Sequence, residues 1–510
     1  MKVVRFGVAA VVAASLAGVP SAAHAAARPR VFPALVQRER VYARIHQRAV
    51  RLGRARSSGA GSVSGSKVPV PQTPNPTSSD VQEIGLDRLP SPGGAQPDTT
   101  AEPAIAVDPH DHDVVVAVFQ EGRYQDIAAV GIGYSTSHDG GTTWTQGELP
   151  HLTQATGGPY ERASDPVVTF GPDGAVYVTT IALNQVSNVR TAVTIQRSDD
   201  GGLTFDDPVI VREDTNPNVF NDKEWVGVDI RPTSPFFGRI YVVWDRIVGI
   251  AQPPVISSSD DRGQTWTPFH TLSDAANALG TYPLVSKGGR LTVVYLDVRR
   301  FVFAAQSSTD GGATFSRVVQ IDECGAVDPP NQRDGGCIPG AAVDPPTGYL
   351  YVTWTDARFR SDGLDDVVVS RSTDGGQHWG RPVKVNQDGT GSGLEHMTAA
   401  VAAYRHSVHV TYLIRRREGS TFTPLIREAY SVSKNDGAAY GYEITIGPTI
   451  DLTWSAITTG LHFLGDYMAV ASFDERAVHP VWCRSSQPES QRTYHQTTWS
   501  ATVNPQNVRR

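Results

Sequence analysis

The sequence predicts an all-β chain folded as a β-propeller, and three observations carry that prediction. An octet of the form S-x-D-x-G-x-x-[W/F] occurs five times, as SHDGGTTW from Ser137, SDDGGLTF from Ser198, SDDRGQTW from Ser259, STDGGATF from Ser308 and STDGGQHW from Ser372. Successive octets start 61, 61, 49 and 64 residues apart, enough for a four-stranded meander each. Each octet also follows a strand–turn–strand stretch of the same pattern, as in EPAIAVDPHDHDVVVAVFQEGR (102–123) and IPGAAVDPPTGYLYVTWTDAR (338–358). Small antiparallel sheets repeated in this way, punctuated by glycine and aromatic residues, pack radially as blades.

Taken in chain order, the first 25 residues, MKVVRFGVAAVVAASLAGVPSAAHA, have a basic start, an apolar run and a small-x-small end. That is a secretory signal peptide with cleavage expected after Ala25. No later run is long and apolar enough to span a bilayer, so the protein is expected to be secreted or held at the cell envelope. Residues 26–79 form a basic extension and linker. Within them, Leu35, Val41, Ile45, Ala49 and Leu52 give a weak helical stripe among arginines, ahead of the Pro/Ser/Gly-rich SSGAGSVSGSKVPVPQTPNPTSS. This arm reads as a disordered or partly helical spacer, with a tether to an anionic envelope surface as the alternative.

The propeller itself is expected over 80–510. Seven units are recognisable, with first strands near Glu102, Asp165, Glu224, Tyr282, Ile338, Glu395 and Asp466, and VQEIGL (81–86) is placed to close the ring as an outer strand of the last blade. Six blades is the alternative, because the last two units lack a good octet and show only SKNDG at 433–437. The octet falls between the third and fourth strands of each unit. There its Asp can accept backbone N–H groups of the turn, glycine supplies positive φ, and the Trp or Phe plugs the hairpin. Five copies of one turn are folding staples rather than five ligand sites.

These octets identify a resemblance to the sialidase-like Asp-box (BNR repeat) β-propellers, covering about residues 100–500. The resemblance implies the propeller architecture, and its activities include sialidases, other glycosidases and non-enzymatic receptors. In a propeller, the connections from second to third strand and from blade to blade share one face, here called upper. The octets and the first-to-second turns share the lower face. Chemistry is therefore expected at the ends of second strands and the starts of first strands.

At the second-strand ends, Phe119/Glu121/Arg123, Tyr295/Asp297/Arg299 and Trp354/Asp356/Arg358 share i, i+2, i+4 spacing, which puts each trio on one strand face. Arg246, Arg416 and Arg484 occupy the equivalent positions elsewhere. Such pairs can clamp neighbouring blades, and surplus guanidinium suits carboxylate or sulfate ligands. Glu102, Asp165, Asp222, Glu224, Tyr282, Glu395, His396, Asp466 and Tyr467 stand near the first-strand starts. The resemblance implies that Asp126, in EGRYQD before the first octet, is the acid/base. It further implies that Tyr467 is a nucleophile activated by Glu224 or Glu395 and that Arg299 and Arg358 are two of the substrate-binding arginines, with Arg123, Arg246 and Arg416 at the second-strand ends as the further candidates. Where those enzymes carry Arg-Ile-Pro, this chain has Ala101-Glu102-Pro103.

The chain holds 45 Lys+Arg and 52 Asp+Glu, of which the first 100 residues contain 13 and 5, leaving 32 and 47 in an acidic body. Nucleic acid is not an expected partner. DPHDHD (108–113) resembles a metal cluster but aligns with GPDG, SKGG and DPPTG turns, so no metal and no cofactor are expected. Cys324 and Cys337 bracket a Pro/Gly-rich loop and could form a disulfide in an exported protein, leaving Cys483 buried. The function expected is therefore an exo-α-sialidase-type glycoside hydrolase acting on acidic sugars of extracellular glycans. The alternative is a non-catalytic glycan- or protein-binding propeller at the cell envelope.

Overall fold

The computed structural model describes residues 81–508, apart from 186, 187, 273, 275, 276, 328 and 490. The expected signal peptide and basic extension lie outside the described residues. Seven blades follow in order, each given from its innermost strand outward. Blade 1 is Thr100–Val107, Val115–Arg123, Ala129–Ser137 and Thr145–Glu148. Blade 2 is Arg162–Phe170, Val176–Asn184, Arg190–Ser198 and Val209–Asp214. Blade 3 is Val219–Val228, Ile240–Val248, Pro254–Ser259 and His270–Thr271; blade 4 is Ala278–Ser286, Arg290–Asp297, Val302–Ser308 and Val319–Glu323. Blade 5 is Gly340–Val343, Leu350–Asp356, Asp366–Ser372 and Val383–Lys384; blade 6 is Leu394–Tyr404, Ser407–Glu418, Thr421–Ser433 and Tyr442–Asp451.

Blade 7 takes Ala469–Ala471, His479–Ser485 and Gln496–Ala501 from the C-terminal end and Val81–Gly85 from the N-terminal end, as its outer strand. The innermost strands touch in the cyclic order of the blades, with blade 7 against blade 1, so the ring is closed. The ring thus has seven blades, and the segment expected to close it does so. It also explains the missing last octet: blade 7 needs no third-to-fourth turn, because its fourth strand comes from elsewhere in the chain. No α-helix occurs among the described residues, only short 3-10 turns such as Gln154–Thr156.

Blade stacking dictates the burial pattern. Second strands are covered on both faces by neighbouring blades, so all nine residues of Val115–Arg123 are buried, the first five as an unbroken apolar run and the polar Gln120, Glu121 and Arg123 toward the upper end. Trp244, Trp354 and Trp482, from the second strands of blades 3, 5 and 7, are among the largest fully buried side chains. Fourth strands at the rim are short or half-buried, which limits edge pairing.

The octets act as the residues suggest. Ser372 Oγ donates to Asp374 Oδ1 at 2.9 Å and accepts the Gly376 N–H at 2.9 Å. Asp374 Oδ1 accepts the N–H groups of Gln377 and His378 at 3.0 and 2.9 Å, and Trp379 Nε1 donates to the Gly376 carbonyl at 3.2 Å. The hydroxyl and N–H of Thr143 hold the exposed Asp139 carboxyl down at about 2, and Thr265 does the same for Asp261. The faint echo in blade 6 is a working copy, with Asn435 Oδ1 accepting from Ser433 Oγ at 2.7 Å and from the Ala439 N–H at 3.1 Å.

One octet breaks the rule at its first glycine. Gly140, Gly201, Gly311 and Gly375 sit at φ 68, 73, 71 and 72°, and Arg262 takes the same left-handed conformation at φ 61°. Its guanidinium reaches back to blade 2 and pairs with Asp173 at 2.9 Å and Asp199 at 2.5 Å. At the next junction the arginine comes from the neighbouring blade instead, Arg239 donating to the Gly311 carbonyl at 3.1 Å. Replacing Ser372 with Ala strands the buried Gly376 N–H, and the expected loss is about 1–3 kcal/mol by equilibrium denaturation.

Candidate functional site

The innermost strands carry a repeated irregularity that aims side chains at the propeller axis. Pairing with the second strand skips two residues between Ala101 and Ala104, Ser164 and Val167, Asp222 and Trp225, Leu279 and Tyr282, and Met397 and Ala400. The first residue of each bulge has positive φ: Glu102 50°, Asp165 52°, Lys223 50°, Gly280 67° and Thr398 48°. A bulge of this kind re-aims the side chain that alternation would send between blades. In blades 1 to 3 the re-aimed side chains are charged.

They meet. Lys223 Nζ lies 3.1 Å from Glu102 Oε1, 3.3 Å from Asp165 Oδ1 and 3.2 Å from Asp466 Oδ2, and none of the four side chains is more than 3% exposed. Arg333 Nε and Nη2 donate to the two Asp466 oxygens at 2.8 and 2.7 Å. Gln120 Nε2 donates to Glu102 Oε2 and to Ser164 Oγ, and the Asp466 N–H donates to Glu102 Oε1 at 3.2 Å. Burial first, and then the neighbouring Asp165 and Asp466, raise Glu102 to about 7 against the pull of Lys223. Glu224 stands beside them with neither carboxylate oxygen hydrogen-bonded, and burial pushes it well above the carboxylate range.

The cluster is sealed on both sides. Above it, Gln332–Arg333 pairs with Leu461–Phe463, which pairs in turn with Ala456–Thr458, as a small sheet across the axis. The strand carrying Arg333 lies within the loop closed by the disulfide between Cys324 and Cys337. Arg123 is buried under this cover, its guanidinium 4.8 Å from the Phe463 ring and donating to Gln120 Oε1 and Thr458 Oγ1. Below, Trp225 and Tyr282, ring centroids 3.9 Å apart, border a cavity of about 260 Å³ that opens toward the lower face. Its walls are small and apolar, including Ala104, Ala106, Val168 and Val470.

The residues singled out in the sequence are thus dispersed. Glu224 and Tyr467 share the axial interior, where Tyr467 donates its hydroxyl to the Pro166 carbonyl at 3.1 Å, and burial together with Glu102, Asp165 and Glu224 holds the phenol protonated. Asp126 is exposed and accepts from Arg162 Nη1 at 2.6 Å, outside the funnel position that the resemblance implies. Glu395 lies at the junction of blades 5 and 6, accepting the Asp365 N–H at 3.0 Å, both carboxyls raised by burial. Arg246 pairs with Asp214 at 2.9 Å, and Arg358 folds onto Asp356 at 2.6 Å and Asp322 at 2.9 Å. Of the trios expected to share a strand face, Trp354, Asp356 and Arg358 do meet, Trp354 Nε1 and Arg358 Nη2 donating to Asp356 Oδ2 at 3.0 and 2.6 Å, whereas Arg123 turns away from Glu121 to Gln120. Asp297 and Asp356 accept the N–H groups of Arg299 and Arg358, at 3.0 and 2.8 Å, and so cap turns that end the strands. Arg299 and Arg416 remain exposed on the upper face.

Two features carry only weak signals in the sequence. Lys223 and Arg333 belong to no repeated motif, and the sign of Lys223 lies only in the alignment of Asp222-Lys223-Glu224 with the Glu102-Pro103 and Asp165-Pro166 starts. The upper-face hairpin of blade 6, RRREGSTFTPLIR at 415–427, carries four arginines and one Glu on an acidic body. Arg416 and Arg427 are exposed there, beside Leu425 at 49% exposure.

Asp366, Asp388 and His396 bring potential metal-ligand atoms within 4.8 Å of one another. Cationic side chains already fill that position, Arg360 Nη1 at 3.3 and 3.1 Å from Asp366 and Asp388 and Lys384 Nζ at 3.1 Å from Asp366. The group is an interior charge network already occupied by cations of the chain itself. Among the described residues no helix is long and apolar enough to cross a membrane.

No family model matches the chain, and no curated protein matches it. Among solved structures, a Hadza microbial sialidase aligns over 81% of this chain and 67% of its own at 15% identity, with a TM-score of 0.45. The intramolecular trans-sialidase from Ruminococcus gnavus aligns over 83% and 98% at 15% identity, TM-score 0.42. The alpha-L-arabinanase of Penicillium chrysogenum aligns over 85% and 100% at 13% identity, TM-score 0.44. Likeness at this level says nothing about activity.

Removing the bidentate partner of Asp466 by Arg333→Met leaves a buried carboxylate short of charge. The expected cost at pH 7 is about 3–5 kcal/mol in denaturation midpoints. Glu121, buried under the Arg88 N–H and Gln146, is raised to about 8 by that burial. The folded state therefore holds this proton longer than the unfolded state, and stability falls as pH rises from about 4.5 to 8. Glu121→Gln is expected to match the wild type in Tm at pH 4.5 and to exceed it at pH 8.

Proposed function

We propose that this chain is an exported propeller that binds an acidic glycan through its upper rim without hydrolysing it. The observation that carries the reading is the disposition of charge. The axial carboxylates, Lys223 and Arg333 neutralise one another in a sealed interior, while Arg299, Arg416 and Arg427 stand exposed around the upper face of an acidic body. Planar guanidinium groups grip carboxylates and sulfates bidentately, and on a net-negative surface they focus such ligands onto one edge. Leu425 and the half-buried Phe422 of the same hairpin offer apolar surface for sugar rings. The basic arm before residue 80 would hold the molecule at an anionic envelope surface.

One observation favours a second reading, an exo-α-sialidase-type hydrolase. Tyr467 and Glu224 lie in one cluster, and Glu224 is among the charges that raise the phenol, the pairing the resemblance implies for a nucleophile and its activator. That reading needs the cover bearing Arg333 to move aside and Asp126 to leave Arg162.

Binding to immobilised heparin and to sialylated and uronic-acid polysaccharides, measured across salt concentrations, tests the first reading. Affinity is expected to fall about tenfold or more in Arg416→Glu/Arg427→Glu, as loss of charge-assisted bonds requires, and to be unchanged in Asp126→Ala. Turnover of a fluorogenic sialoside or arabinoside that disappears in Tyr467→Phe would overturn it in favour of the hydrolase. Failure of the wild type to bind any of the anionic glycans would overturn it as well.

A further inference from the structure

The cluster on the axis contains more than an ion pair. A lysine amine, the carboxyl of an aspartate and a third carboxyl able to move protons are held together out of water. We propose that Lys223 and Asp165 condense spontaneously to an amide, a covalent strut between the innermost strands of blades 2 and 3.

The geometry supplies each part. Nζ stands 3.3 Å from Asp165 Oδ1, and both residues are fixed in bulges at φ 50 and 52° on neighbouring strands, so neither backbone swings the groups apart. Ser164 Oγ donates to the same Asp165 oxygen at 3.1 Å, polarising the carbonyl that must be attacked. Glu102 Oε1 is 3.1 Å from Nζ, and its carboxyl stands near neutrality, suited to take a proton from nitrogen and return it to oxygen. Asp466 is a poorer partner, because both of its oxygens are already gripped by the Arg333 guanidinium. Tyr467, whose ring is 5.1 Å from Nζ, helps to exclude water. Reacting groups held this close replace a bimolecular encounter with an intramolecular one, worth several orders of magnitude in effective concentration.

The step balances without a co-reactant. Proton transfer from the ammonium through Glu102 gives a neutral amine and a protonated Asp165 carboxyl. Nζ attacks Cγ, the C–OH bond breaks, and the hydroxyl leaves as water with a proton delivered by Glu102. One N–C bond forms, one C–O bond breaks, and nothing is oxidised. The condensation also removes one buried cation and one buried anion, leaving the Arg333–Asp466 pair and a near-neutral Glu102. Relief of the desolvation cost of two interior charges is a driving force that a surface pair lacks.

Mass spectrometry of the full-length purified protein, reduced and denatured, decides the matter. The expected result is a mass lower by one water, about 18 Da, and a branched peptide joining the segments that contain Asp165 and Lys223. Lys223→Arg is expected to restore the unmodified mass. Asp165→Asn is expected to lose ammonia, about 17 Da, in place of water. Glu102→Gln is expected to accumulate unlinked protein that converts slowly, at least tenfold behind the wild type. An unmodified wild-type mass, in protein with a cooperative thermal transition and after days of incubation, overturns the proposal. So does a branched peptide through Asp466 or Glu102.

Discussion

Everything at the centre of this molecule depends on the two-residue bulge in the innermost strands. A strict strand would send alternate side chains into the spaces between blades, where the apolar cores lie. The bulge instead turns Glu102, Asp165 and Lys223 toward the axis, where each blade is short of neighbours. Three acids drawn together would repel, so Lys223 has to stand among them, and Arg333 has to arrive from a separate segment to complete the balance. The result ties blade 3 to blades 1, 2 and 7 at once. Such a cluster is a weak source of stability and a strong source of specificity, because any one partner missing leaves a buried charge.

The lower face solves a different problem with a cheaper device. Third and fourth strands must be joined tightly without leaving backbone groups unpaired, and the Ser–Asp–Gly–aromatic turn satisfies them from within eight residues. Because each octet uses its own side chains, it can be repeated in any blade that has such a turn, and it is absent only where the chain supplies the outer strand from its other end. Arg262 shows how far the rule bends. A non-glycine residue is tolerated at positive φ when its side chain recovers two ion pairs with the adjacent blade.

Sealing the axis moves the accessible chemistry outward. Groups that the resemblance would gather around one open funnel are split among an interior cluster, a blade junction and the surface. Asp126 and Arg162 pair in solvent, Glu395 shares its burial with Asp365, and Tyr467 is buried. What the upper face still presents to a partner is guanidinium, concentrated where the blade 6 hairpin rises from the ring.

The sequence alone suffices to read the architecture. The octets, their spacing and the strand–turn–strand units are local patterns, set by backbone geometry over eight to twenty residues, and so they predict blades, turns and even the closing strand. It also indicated that acids cluster at first-strand starts. The roles of those residues are set by the closed fold. Whether Asp297 and Asp356 reach across to a neighbour or cap their own turns depends on where the strand ends. Whether Glu102 faces a ligand or a lysine depends on partners 121 and 364 residues away in the chain. Electrostatic balance is a property of the closed ring, and no stretch of sequence shorter than the ring contains it.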